Sequence, residues 1–253
     1  MNTTLDPAGF ELLTFDCYGT LVDWERGIVD AARPVFQARG RSPSDGELLA
    51  GFAEHEHVVQ AERYRKYREV LALTIERMAD DAGFSPTAHE CEAFAGSVGS
   101  WPPFPDTVEA LRKLGSRYRL GVVSNVDRDL FAATQVALEI DFDWVVTAED
   151  AGGYKPAPDH FDTMRSASGI PAKRTLHIAQ SLFHDIAPAS ALGYATVHVD
   201  RRSRGSGGGA TPPARVRPTA TVQDMAGVVE LMGLGDTRSV GVRPCHSAWR
   251  SGG

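Results

Sequence analysis

Apolar residues fall along this chain in two rhythms. Leu12, Leu13 and Phe15 form a short run that fits a buried strand. From about residue 22 to 101 the spacing is helical. Trp24, Ile28, Ala31, Val35 and Phe36 recur once per turn. Residues 48–81 read as one long charged amphipathic segment, with Val58, Tyr64, Tyr67, Val70, Leu71 and Met78 as its apolar points. Pro86 interrupts the pattern, a short helix is expected over 89–98, and the run WPPFPD returns the chain. From residue 107 the rhythm changes. Helical spacing over 108–114, 128–138, 160–168 and 186–192 alternates with short apolar runs over 120–124, 144–147, 176–179 and 195–199. A last helix is expected over 222–232.

Strands that alternate with helices predict a parallel sheet covered on both faces, an α/β doubly wound architecture. Residues 1–21 and 102–235 would form this core, with 22–101 inserted as a helical cap. The Gly- and Pro-rich basic run RSRGSGGGATPPARVRP (202–218) reads as a surface excursion. Residues 236–253 lack periodicity and are expected to be a disordered tail.

Composition narrows the function classes. A chain of 253 residues can bury one core and a smaller cap. Lys plus Arg is 26 and Asp plus Glu is 33, a formal charge of −7, which argues against nucleic acid or an anionic membrane as partner. Cys17, Cys91 and Cys245 form no CxxC pair, so neither a zinc site nor a disulfide framework is indicated. No apolar run approaches the ~20 residues of a membrane span. The start MNTTLDPAGFE lacks a basic, then apolar, signal segment, and a cytoplasmic location is expected.

The chemistry begins at Asp16. It closes the first strand, ahead of the turn residues Gly19 and Thr20, and ligands of open α/β sheets bind beyond strand carboxyl ends. A lone carboxylate there must be paired or functional. Three further motifs follow. In GVVSNVDRD, Ser124 and Asn125 offer hydrogen bonds to an anion without adding charge. In GGYKPAPDHF, Pro156 disfavours helical geometry at Lys155 and keeps its ammonium in a loop. In HIAQSLFHDIAPASALG, Asp185 lies near a helix start and Gly193 ends that helix; a helix cap is a competing reading for Asp185.

Taken together, the four motifs over 12–193 resemble those of the haloacid dehalogenase superfamily. Phosphatases of that superfamily usually carry a second aspartate two residues after the first; here that position is Tyr18, which resembles the (S)-2-haloacid dehalogenase branch. The resemblance implies a small 2-haloacid as substrate and Asp16 as the nucleophile that forms an ester. Lys155 would support its charge, and Asp185 would orient Lys155 or help activate water. Tyr18, Thr20, Ser124 and Asn125 would contact substrate or orient it, with Asn125 at the position that holds the departing halide. No cofactor is implied. No metal is expected either, because Gln180 occupies a position that is acidic in the phosphatases, and a neutral amide is a poor ligand for a hard cation. A homodimer is left open.

The chain departs from the pattern at Phe161, where a tyrosine is common, and at Gln180 and Leu182, where serine and asparagine are usual. The cap arginine of the family has no counterpart by spacing. His55, His57, Arg63, Arg65, Lys66 and Arg68 are the candidates for a cap-supplied halide or carboxylate contact, against the plainer reading of a solvated helix face. A compact, histidine-lined pocket would suit a small leaving group such as fluoride. A phosphatase or other hydrolase of the superfamily, and a non-catalytic binding protein, remain as alternatives.

Overall fold

The structure is a computed structural model that describes residues 5–201 and 214–235. Six parallel strands form one sheet: β1 (Leu12–Phe15), β2 (Arg119–Ser124), β3 (Trp144–Thr147), β4 (Thr175–Ala179), β5 (Ala195–Val199) and β6 (Ala220–Val222), in the order β3-β2-β1-β4-β5-β6. β1 is central, with Leu13 opposite Leu120 on one side and Leu176 on the other. All four of its residues are buried, as expected of a strand covered on both faces. Leu13, Phe15, Val122, Ile178 and Val197 belong to the main apolar core, while Leu12, Val123, Val146 and Met164 pack together in a second cluster. That alternation sends successive side chains to opposite faces of the sheet. The chain runs outward from β1 to β3 and then crosses back to β4, so the order reverses beside β1, where such sheets leave a crevice.

Ten α-helices complete the described fold. α1 (Trp24–Gln37), α2 (Asp45–Glu62), α3 (Tyr67–Asp81) and α4 (Ala88–Gly96) follow β1. The others are α5 (Thr107–Gly115), α6 (Arg128–Leu138), α7 (Ala148–Ala151), α8 (Asp159–Ser168), α9 (Ala187–Ala191) and α10 (Met225–Leu231). The starts of α2 and α4 carry capping boxes, Ser44 with Glu47 and Thr87 with Glu90. The insertion between β1 and α5 adds no strand to the sheet; its link to the return segment is an isolated bridge between Val22 and Pro103.

Three expectations differ from what forms. The long amphipathic segment over 48–81 is two helices, broken at Arg63–Lys66. Neither Gly nor Pro marks the break. It is set from outside: Asp127, in the loop after β2, accepts the Tyr67 and Arg68 backbone N–H groups at 2.8 and 2.9 Å, while Tyr154 donates its hydroxyl to Arg65 O at 2.8 Å. Asp127 thus caps α3 from a distant part of the chain, where the local cap residue Lys66 offers no acceptor. The final helix is shorter than 222–232, because residues 220–222 pair with β5 as an edge strand. The helix expected over 186–192 is preceded by one wide helical turn, Leu182–Ile186. Part of the 202–218 excursion, and the whole 236–253 tail, lie outside the described residues.

Candidate active site

Three parallel strands deliver the central residues, because their carboxyl ends lie side by side. Asp16 follows β1, Ser124 ends β2 and Gln180 follows β4. The Asp16 N–H donates to Ile178 O at 3.1 Å, which extends the β1–β4 ladder to the carboxylate itself. The chain then turns sharply. Gly19 takes φ +91°, which L side chains rarely adopt, and its N–H bonds Val22 O at 2.8 Å. The turn brings Thr20 back under Asp16. The Thr20 hydroxyl donates to Asp16 Oδ2 at 2.8 Å and accepts the Gln180 N–H at 2.9 Å. Cys17, buried beside Asp16, belongs to the apolar core.

Lys155 reaches the same point from the loop before α8. Its Nζ donates to Asp16 Oδ1 at 2.9 Å, to Asp185 Oδ1 at 2.7 Å and to Val123 O at 2.8 Å. An ammonium has three N–H groups, so all are engaged. Asp185 Oδ1 also lies 3.2 Å from His177 Nε2, and His177 Nδ1 lies 3.0 Å from Thr14 Oγ1. The row Asp16–Lys155–Asp185–His177–Thr14 is therefore a continuous buried network behind the sheet edge.

Its electrostatics are asymmetric. Burial would push Asp185 up, but Lys155 and His177 outweigh it and hold the carboxyl far below its ordinary range. Burial opposes the charge on Lys155, yet the two carboxylates beside it keep it raised and protonated. For Asp16, burial pushes up further than Lys155 pulls down, and Asp185 adds to the rise. Lys155 alone was expected to lower Asp16; the shared partner Asp185 and the dry surroundings reverse the net direction. Of the two carboxyls on Lys155, Asp16 is the more basic.

The other sequence candidates fall differently. Ser124 lines a cavity above Asp16 with a buried Oγ that has no hydrogen-bond partner. Asn125 also lines it, but its amide clamps the Lys155 backbone, accepting Lys155 N–H at 2.7 Å and donating to Lys155 O at 3.2 Å. Tyr18 lines the cavity, while its hydroxyl pairs with Thr134 Oγ1 at 2.9 Å and its ring meets Trp101 edge-on. Thr20 holds Asp16 and is not part of the cavity wall. Phe161 is buried against His177 and Tyr194, away from the cavity, whereas Gln180 lines it.

The helical segment supplies the facing wall through Trp24, Glu56, Gln60 and Tyr67. None of the six expected histidine, lysine or arginine candidates lines the cavity. His55 pairs with Asp81, His57 with the Ala53 carbonyl, Arg63 with Glu69, Arg65 with Glu62 and Glu69, Lys66 with Glu149, and Arg68 with Asp129. The reason is geometric. His55 and His57 flank Glu56 in sequence, and one residue along a helix is a rotation of about 100°. The four basic residues sit at the break and the start of α3, not on a continuous helix face. Glu56, Gln60 and Tyr67 were missed, as were the cavity-lining Ser181 and His184. The i, i+4 pair Glu56–Gln60 was a usable signal for a shared helix face. Burial takes the His184 imidazole down to about 4, so it is neutral at ordinary pH.

The cavity holds about 60 Å³, well under the ~150 Å³ that admits benzene in an apolar protein interior. It suits a molecule of a few heavy atoms. A small cavity thus lies over a buried carboxylate–lysine pair at the switch point of a parallel sheet, where ligands of such sheets bind. The family model of haloacid dehalogenase-like hydrolases matches residues 10–193, and the chain belongs to that family. It is 26% identical over 201 residues to haloacetate dehalogenase H-2 of Moraxella sp. (strain B), covering 76% of this chain and 86% of that protein. It is 24% identical over 198 residues to the (S)-2-haloacid dehalogenase of Xanthobacter autotrophicus, covering 76% of each. In fold it is similar to the L-2-haloacid dehalogenase from Xanthobacter autotrophicus with chloropropionic acid covalently bound, with a TM-score of 0.77 at 18% identity over 88% of this chain and 98% of that one. Among the described residues no helix is long and apolar enough to cross a membrane.

Proposed function

We propose that this protein is a hydrolytic dehalogenase of small 2-haloacids, the haloacetates and fluoroacetate among them, working through an ester on Asp16. The observation that carries the reading is the Asp16 carboxylate, bonded on one oxygen by Lys155 and on the other by Thr20, at the floor of a cavity sized for a few heavy atoms. Asp16 attacks C2, forming a carbon–oxygen bond as the halide leaves with the carbon–halogen pair. Water then adds to the carboxyl carbon of the ester, the carbonyl–oxygen bond breaks, and the 2-hydroxy acid departs with an oxygen that began on Asp16. Lys155 keeps Asp16 ionised, and Asp185 with His177 fixes Lys155 between them. Because Asp185 is held so far down, it serves better as this anchor than as a base. His184, neutral and on the cavity wall, is the group to take the proton from the water. Ser124, with its unpartnered hydroxyl, is the donor for the substrate carboxylate, and the helical segment acts as a cap that excludes bulk water. The names of the two relatives above support the substrate class.

The test is a screen of 2-chloro-, 2-bromo- and fluoro-acids with EDTA present, following halide by ion chromatography. Halide and 2-hydroxy acid should appear in equal amounts, and both should vanish in Asp16→Asn. No halide from any acid, together with magnesium-dependent hydrolysis of an aryl phosphate, would overturn the reading in favour of a phosphatase.

A further inference from the structure

The cavity has an unbalanced charge count. Asp16, Asp185 and Glu56 line it, against one cation among the described lining residues, Lys155, whose three N–H groups are already donated. A 2-haloacid brings a further negative charge, and no free cation of the described wall is there to meet it. The acid that the helical segment contributes to this wall is Glu56, which accepts from Gln60 Nε2 and shares a hydrogen bond with the Tyr67 hydroxyl.

We propose that Glu56 is the specificity-determining residue for the substrate carboxylate, binding it as a neutral acid that donates its O–H to a carboxylate oxygen. The proposal rests on the 2-haloacid reading above. In this arrangement Ser124 and Glu56 are the two donors to the anion, and an ionised Glu56 repels it. Substrate binding is then coupled to a proton. Burial pushes the Glu56 carboxyl up to about 7, against the pull of Tyr67 and Gln60.

The groups around Glu56 leave it as the one that switches near neutral pH. Tyr67 of α3, Tyr154 of the loop before Lys155 and Tyr18 after β1 are all pushed up by burial and stay neutral. His184 is neutral above about 4. Across the cavity Lys155 stays charged and Asp185 ionised. Asp16 is also raised, and any slope that it caused would remain in Glu56→Gln, so the variant assigns the slope to one or the other.

The experiment is isothermal titration of the full chain with lactate, the product expected from 2-chloropropionate, between pH 6 and 9 in buffers of different ionisation enthalpy. The affinity should fall by about tenfold per pH unit above the Glu56 titration, with up to one proton taken up on binding. Glu56→Gln, whose amide N–H donates at every pH, should bind lactate with a flat profile. In turnover the same slope should appear in KM and not in kcat. Wild-type affinity that is flat or rises with pH, a slope unchanged in Glu56→Gln, or no lactate binding even at pH 6 would each overturn the proposal. Halide release with a flat KM profile would sink Glu56 alone. Lactate binding with the expected slope, but no halide from any 2-haloacid, would sink the dehalogenase reading instead.

Discussion

The two walls of the cavity are built on different logic. The floor comes from strand ends, and its polar side chains are mutually satisfied: Thr20 on Asp16, Asp16 and Asp185 on Lys155, His177 on Asp185. Its exception is Ser124, whose Oγ lacks a partner. The facing wall comes from helices, and Glu56 and Gln60 hold each other there while the charged residues beside them turn to surface ion pairs. The floor tolerates little change, because removing one member leaves a buried charge unpaired, which costs far more than the pair contributes net. The facing wall depends on how α2 and α3 are set against the core, through contacts such as those at Asp127 and Tyr154. On the proposed function, chemistry belongs to the first and selection to the second.

That contrast can be broken at the floor first. Lys155→Ala should lower turnover by about 10²-fold or more, since Asp16 loses the neighbour that keeps it ionised. Lys155→Arg should also be poor, because a planar guanidinium does not fit three converging acceptors. Near-normal halide release in Lys155→Ala would remove Lys155 from the mechanism.

The joint between the walls comes next. Asp127→Ala leaves two α3 N–H groups without their acceptor and should cost about 1–2 kcal/mol in denaturant unfolding. It should also raise KM several-fold, because Tyr67 begins at that joint. Unchanged stability and KM would show that α3 is held by its apolar face alone.

The pH dependence of stability separates the floor from the rest of the molecule. Asp185 is depressed in the fold, so it contributes stability above its unfolded value of about 3.9, lost as pH falls through the lower folded value. Lys155 is raised, so its contribution is full below about 10.4 and is lost as pH climbs through the folded value. Thermal unfolding of Asp185→Asn should therefore lose the wild type's acid limb in that window, and an identical limb in both proteins would contradict the assignment. The smallest effects belong to the outward charges. His55→Ala, Lys66→Ala and Arg68→Ala should each change halide release by less than about threefold, as exposed ion pairs contribute little. A tenfold loss in any of them would place that side chain in the cavity.

The same contrast explains what could be read from the chain. Strand ends are local events: a short apolar run, a carboxylate and a glycine turn identified Asp16 and Thr20, and a proline after Lys155 marked its loop. The parallel sheet followed from the alternation after residue 107. The α2–α3 break left no local mark, since Asp127 imposes it from 60 residues away. Attention to histidine and arginine as expected halide partners led to His55 and His57, one residue either side of Glu56. The role of Asn125 as a clamp on the Lys155 loop needed the loop's position, and the network through His177 needed the β1–β4 pairing that sets Thr14 opposite it.

The claim on which the rest depends is that Asp16 is the atom donor. It is tested most directly by a single turnover of a 2-haloacid in heavy-oxygen water with enzyme in excess, followed by mass spectrometry of the peptide spanning 12–25 and of the product. The account predicts the label on Asp16 and an unlabelled 2-hydroxy acid. Label in the product with none on Asp16 would mean that water attacks the substrate directly, and would contradict it.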